Sequence, residues 1–290
     1  PQYFHVRVIP NVDVCHQRGL DVRTWVKEGL VDVITPGCGY MTFTQTLNEW
    51  LDLVEGHNCW IIPSNNHWKP PEETRAWAKL MYQRGAHGLQ LFNFGHLLHG
   101  RDAHTPLEIT GRRSVYYQEL HPDYYRVLHE IGDPKTQAYT NCRYVLESVS
   151  HDRLDGIAGL THREFNAVDD IVLPVELTGG IHQIPFGFAE DLPGAVDRGL
   201  VPRVTLRMKI FNYTAPDEFD VLLNGQLLPE ASRHIGAEYI MNNDTWITYP
   251  VPNDWVLRGQ NLLDVHIRKL NLDISVTPRL VNVQIEVKYR

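Results

Sequence analysis

No apolar run in these 290 residues approaches the ~20 that a membrane-spanning helix needs, so a helical span is excluded. No basic block is present either. With a net charge of −8, the electrostatic footprint of a nucleic-acid binder is missing. Cysteine is scarce: positions 15, 38, 59 and 142, none in the last half, at spacings that match no zinc pattern. They read as free thiols in or near a core, with a Cys15–Cys38 bridge between adjacent strand ends as the alternative. Gly37-Cys38-Gly39 lacks the rest of a dinucleotide fingerprint, and no GxSxG elbow occurs. His96, His99 and His104 show neither HxH nor HExxH spacing. No cofactor and no metal are therefore expected. There is no leader and no initiator Met; the chain opens Pro1-Gln2-Tyr3, which reads as a processed, truncated or divided polypeptide.

What is present suits two globular domains. A 43% hydrophobic content can build real cores. Seven Trp and thirteen Tyr are compatible with sugar binding, although large cores use the same residues. The organising stretch is 86–94. A helix-like segment ends at Arg84-Gly85, the chain turns, and a short apolar run ends in Asn93, with His96 and His99 just beyond. A parallel strand buried on both faces looks like this, with polar groups delivered at its C-terminal end. Stretches 4–11, 31–36 and 59–65 repeat the plan at intervals of about 28 residues, normal for a strand–helix unit. Such repeats imply parallel strands with right-handed crossovers.

Between the strands, Asp21 is placed to cap a helix that Gly29 stops. Residues 44–55 put Leu47, Trp50, Leu51 and Val54 on one helix face. Pro71, Glu72 and Glu73 open a third helix, which runs to Arg84. Residues 11–16 are expected as a loop. Residues 95–123 form a long polar loop, and 124–131 a helix that pauses at 132–134 and resumes through Tyr144. Four such units make about half of the ~250 residues of an eight-unit barrel. The stretch 1–149 is thus a small open α/β sheet or half a barrel, and an open half-barrel would leave two apolar edges bare.

After a polar linker at 150–170 the pattern changes to short alternating runs at 171–177, 203–210, 219–223, 245–250, 261–268 and 280–288. Asn224-Gly225 between Val221-Leu222-Leu223 and Gln226-Leu227-Leu228 is a hairpin turn signal. Residues 171–290 therefore read as an antiparallel β-sandwich or jelly roll.

In parallel barrels the chemistry sits at the C-terminal strand ends. The mouth-facing set is then Asn11, Asp13, His16, Tyr40, Asn65, His67, Trp68, Asn93 and His96. Arg7, a charge inside an apolar strand, joins it as an interior residue that needs a partner. Amides, imidazoles and aromatic rings in one cleft suit a polyhydroxylated ligand. Hydrolysis of a glycosidic bond usually takes two carboxyl groups, and only the first strand end offers one, Asp13. Glu72 and Glu73 read as helix-start charges.

Three segments, GLDVRTWVKEGLVD at 19–32, GAHGLQLFNF at 85–94 and IGDP at 131–134, resemble bacterial glycosyl-hydrolase-like TIM-barrel proteins of the family-ten-like type. The resemblance implies that the four strands are the fifth to eighth of a (β/α)8 barrel, followed by an accessory β-sandwich. It also implies that the family's acid-bearing strand ends lie largely in the other half. Related retaining enzymes carry a nucleophilic Glu after the seventh strand; this chain has Ser64-Asn65-Asn66-His67 there, so no catalytic residue is carried over. The expectation is a glycoside hydrolase acting on a poly- or oligosaccharide. A second polypeptide or an N-terminal segment would complete the barrel. The alternative is a non-catalytic carbohydrate-binding or scaffold protein on a degenerate barrel.

Overall fold

The computed structural model describes residues 2–37, 47–66, 70–92, 122–147, 173–239 and 244–290. The chain divides into two compact units: Pro1–Ala138 with His151–Asp169, and Tyr139–Ser150 with Asp170–Arg290.

The first unit alternates strands and helices. Its strands are β1 (His5–Val8), β2 (Val33–Pro36), β3 (Trp60–Ile61), β4 (Ser64–Asn66) and β5 (Gln90–Phe92). Its helices are α1 (Val12–Gln17), α2 (Val22–Lys27), α3 (Asn48–Val54), α4 (Pro71–Gln83) and α5 (Pro122–Ile131). All strand pairs are parallel: β1 with β2, β2 with β3, and β4 with β5. β3 and β4 are two pieces of one strand, interrupted at Ile62-Pro63. Ile62 N still donates to Ile34 O on one side, and Gln90 N to Pro63 O on the other. Spatial order therefore follows chain order, with no reversal of the kind that makes a doubly wound sheet. Among the described residues neither β1 nor β5 has a second strand partner.

Local chemistry explains the helices. Asp21 caps α2 as its side chain predicts, accepting from Thr24 N at 3.2 Å, and Gly29 follows with φ +65°. In α3, Trp50 and Val54 are buried, with Leu47 just before it; the Trp50 indole N–H donates to Pro10 O at 2.8 Å. Residues 11–16 are not a loop. Asn11 Oδ1 accepts from Val14 N at 2.9 Å and caps α1, which buries Val12, Val14 and Cys15. A cap followed by three apolar residues on one side outweighed the loop signal of the alternating acids and amides.

Cys15, Cys59 and Cys142 are free and buried, so no Cys15–Cys38 bridge forms; Cys38 itself lies outside the described residues. Burial pushes the Cys15 thiol up to about 12, and the Cys59 thiol up to about 11, from an ordinary 9.0. Because the folded values are the raised ones, their stabilisation is full below pH 9 and is lost as pH climbs towards 11–12. At pH 8 iodoacetamide should alkylate Cys15 about a hundredfold or more slowly in the native chain than in the urea-unfolded one. Mass spectrometry of quenched samples checks this.

The second unit is antiparallel. One sheet has the order β11 (Gln226–Leu227), β10 (Glu218–Leu223), β14 (Gly259–Lys269), β8 (Gly180–Phe188). The other runs β12 (His234–Tyr239), β13 (Asp244–Val251), β9 (Pro202–Phe211), β15 (Arg279–Tyr289), β6 (Cys142–Glu147), with β7 (Val175–Glu176) also on β15. A short helix, α6 (Leu192–Asp197), follows β8. Burial alternates along β9: Val204, Leu206, Met208 and Ile210 lie inside, and Arg203, Thr205, Arg207 and Lys209 do not. Tyr144 of the six-stranded sheet meets Phe188 of the four-stranded sheet at 4.9 Å between ring centroids. The Asn224-Gly225 turn forms as its sequence predicts, with both residues at positive φ between β10 and β11.

Several segments depart from the sequence reading, α6 and β12 among them. The expected helix through Tyr144 is a turn followed by β6, which pairs with β15 and belongs to the second unit. Alternating burial of Cys142 and Tyr144 against an available strand edge decides it. β8 is a nine-residue strand despite Pro185, because it lies at the sheet edge, where a missing N–H is tolerated.

Candidate functional site

Side chains on the parallel sheet alternate between two faces. The strand registers put His5, Arg7, Thr35, Ser64, Gln90 and Phe92 on one face. Val8, Ile34, Ile61 and Asn65 lie on the other, and all four are buried. On the first face His5 Nε2 and Thr35 Oγ1 are hydrogen-bonded at 2.7 Å. The Arg7 guanidinium lies over the Phe92 ring, 3.8 Å from its centroid. In a flat sheet, first and fourth strands stand about 14 Å apart and their side chains project side by side. Contact between Arg7 and Phe92 requires the sheet to curl towards this face.

The curled face is polar at its centre. Ser64 is fully buried, and neither its Oγ nor the buried Gln90 Oε1 has a hydrogen-bond partner among the described residues. The two residues are register partners, so both polar atoms sit at one level of the concave face. Buried groups of this kind are rare in native proteins, because each costs the desolvation it does not recover. Gly37 stands beside them: a Cβ there would meet Ser64 Cβ at 2.8 Å and Arg7 Nη2 at 3.7 Å. Gly37→Ala should therefore cost about 1–3 kcal/mol through forced strand separation, read as a shift in the urea midpoint.

At the N-terminal end of the same face, the row His5, Val33, Trp60 ends in an indole that is 53% exposed. A cavity of about 470 Å³ lies beside Trp60, between the end of α3 and the turn before β5, lined by Leu51, Asp52, Glu55, His57, Cys59 and His87.

The structure separates the residues expected at the mouth. Arg7 is on the concave face. Asn11 is spent on the α1 cap, and His16 is exposed in the last turn of α1. Asp13 is exposed in its first turn and pairs with Arg23 at 2.7 Å. Asn65 is buried on the opposite face from Arg7. Tyr40, His67, Trp68, Asn93 and His96 lie outside the described residues, as do His99, His104 and His121. Among the described strand residues the concave face carries no carboxylate. Thr35, Ser64, Gln90 and Phe92 were missed; counting every second residue from Arg7 across the parallel register would have found them.

No protein-family model matches the chain, and no curated protein matches it. Among solved structures it is similar to BuGH86, a family 86 glycoside hydrolase, in complex with neoagarooctaose. A variant form gives TM-score 0.29 at 11% identity over 40% of this chain, and the wild type gives 0.28 at 11% over 39%. The chain spans 17% of the length of each of those chains. These two distant neighbours are glycoside hydrolases holding an oligosaccharide.

Proposed function

We propose that this chain is part of a glycoside hydrolase acting on a poly- or oligosaccharide. Residues 1–138 would supply half of a (β/α)8 barrel and part of the sugar cleft. Further strands, from a preceding segment or a second polypeptide, would complete the barrel against β1 and β5, and the antiparallel unit would serve as an accessory sandwich. The observation that carries this reading is the Arg7–Phe92 contact, which bends four parallel strands in chain order towards one polar face. Sequential order with one-way curvature is how a barrel is wound. The bare Trp60 fits an interior whose other wall lies elsewhere.

A second reading, a binding protein on a degenerate barrel, is favoured by the concave face's lack of a carboxylate among the described residues. Reducing-end release from a panel of oligosaccharides, neoagarooctaose among them, distinguishes the two when run on the complete purified assembly. Turnover by the assembly, reduced by Arg7→Ala, supports the hydrolase. Binding of a glycan without turnover supports the second reading. A 290-residue chain that is monomeric and hydrolytically active on its own would overturn the division.

A further inference from the structure

The second unit holds a charged surface that the barrel reading does not use. On the outer face of the six-stranded sheet, the registers align Arg203, Thr205, Arg207 and Lys209 of β9 with Thr248 and Trp246 of β13. On the other side they align with Lys288, Glu286, Gln284 and Asn282 of β15. Within a chain of net charge −8 this is a local reversal of sign. Glu286 takes up Arg143 and Lys288, each at 3.2 Å. Arg207 is different: its guanidinium lies over the Trp246 ring at 4.4 Å and donates to Gln284 Oε1 at 3.2 Å. Among the described residues it has no carboxylate partner. Lys209 Nζ stands over the same ring at 5.7 Å.

We propose that this face binds an acidic glycan, a carboxylate- or sulfate-bearing polysaccharide, gripped by Arg207 with Arg203 along β9. Three features fit that ligand. Arg207 is held by the indole and by Gln284, so its planar fork is ordered before an oxyanion arrives. One of its five N–H donors serves Gln284. Arg203, two register positions along the same face of β9, is exposed, so a second guanidinium is open to a ligand on the same track. Residues 203–209 span about 20 Å of extended strand, a track suited to a polymer with a charge on each repeat.

A nucleic acid fits less well. Trp246 is only 9% exposed beneath the two cations, so no open ring awaits a base. The chain's overall negative charge also opposes a dense phosphate backbone. This inference is independent of the barrel, because it concerns binding by the second unit and not turnover.

The test is affinity electrophoresis of the full chain through gels containing polygalacturonate, a sulfated galactan, neutral dextran or duplex DNA. Retardation is expected with one or both acidic glycans, and it should fall away at 0.5 M salt, roughly as exposed charges are screened. Which acidic gel retards more assigns carboxylate or sulfate. Arg207→Gln should raise the apparent Kd about tenfold, the loss of one charge-assisted hydrogen bond. Arg203→Gln, at an exposed side chain whose removal leaves the fold intact, should raise it by a smaller factor. The proposal is overturned if neither acidic glycan retards the chain. It is equally overturned if both variants bind as the parent does, or if DNA binds as tightly as the glycans.

Discussion

Arg75→Met should destabilise the first unit by about 3–5 kcal/mol, the cost of leaving one member of a buried ion pair without its partner. Arg75 Nε sits 2.6 Å from Glu130 Oε2, and the two side chains are 7% and 11% exposed. The pair ties α4 to α5. Arg126, one turn before Glu130, reaches the other carboxylate oxygen at 3.0 Å but is 66% exposed, so water screens most of what it adds. It cannot replace Arg75. The double variant Arg75→Met, Glu130→Leu removes both charges and should recover most of the loss. Urea unfolding followed by far-UV dichroism measures both. If single and double variants shift the midpoint equally, the ion pair does not clamp the two helices.

In the second unit, Glu190→Ala should cost about 3 kcal/mol or more, because it strips the acceptor from several buried donors at once. Glu190 is 3% exposed. It accepts from Tyr144 OH at 2.8 Å, from Cys142 Sγ at 3.1 Å and from Tyr289 OH at 2.5 Å. Tyr144 OH in turn accepts from Ala189 N at 3.2 Å, so the network extends to the backbone just after β8. Burial, and next the Glu190 charge, push both phenols far above their usual 10, so they remain donors throughout the neutral range. Since the folded values are the raised ones, this contribution is full below pH 10 and is lost as pH rises beyond it. Glu190→Gln, which keeps one carbonyl acceptor, should lose less than Glu190→Ala. Equal losses would mean that the site counts for its volume and not for its hydrogen bonds.

Much of the local structure in both units could be read directly. Asp21, Gly29, Pro71 and the Asn224-Gly225 pair act locally, through caps, a fixed φ or a turn type, and a local cause leaves a local signature. The failures are where a distant partner decides. Residues 142–147 become a strand because β15 offers an edge 140 or so positions later, which no window around Tyr144 can reveal. Asn11 looked like a strand-end amide and is a cap, because Val12, Val14 and Cys15 supply an apolar side that a six-residue helix can bury. Asn65 illustrates the parity rule: one residue along from Ser64, it points to the other face. Arg7, read as an interior residue from its charge inside an apolar strand, lies on the concave face. Its contact with Phe92, three strands away, depends on curvature, and curvature is not written in any single stretch.

The central claim is that the curled parallel sheet is part of a larger closed ring. An experimental structure of the purified assembly tests it most directly, at the outer edges of β1 and β5. The account predicts a further parallel strand hydrogen-bonded to each, with Trp60 covered. β1 and β5 paired to each other, or both edges open to water in an active protein, would contradict it.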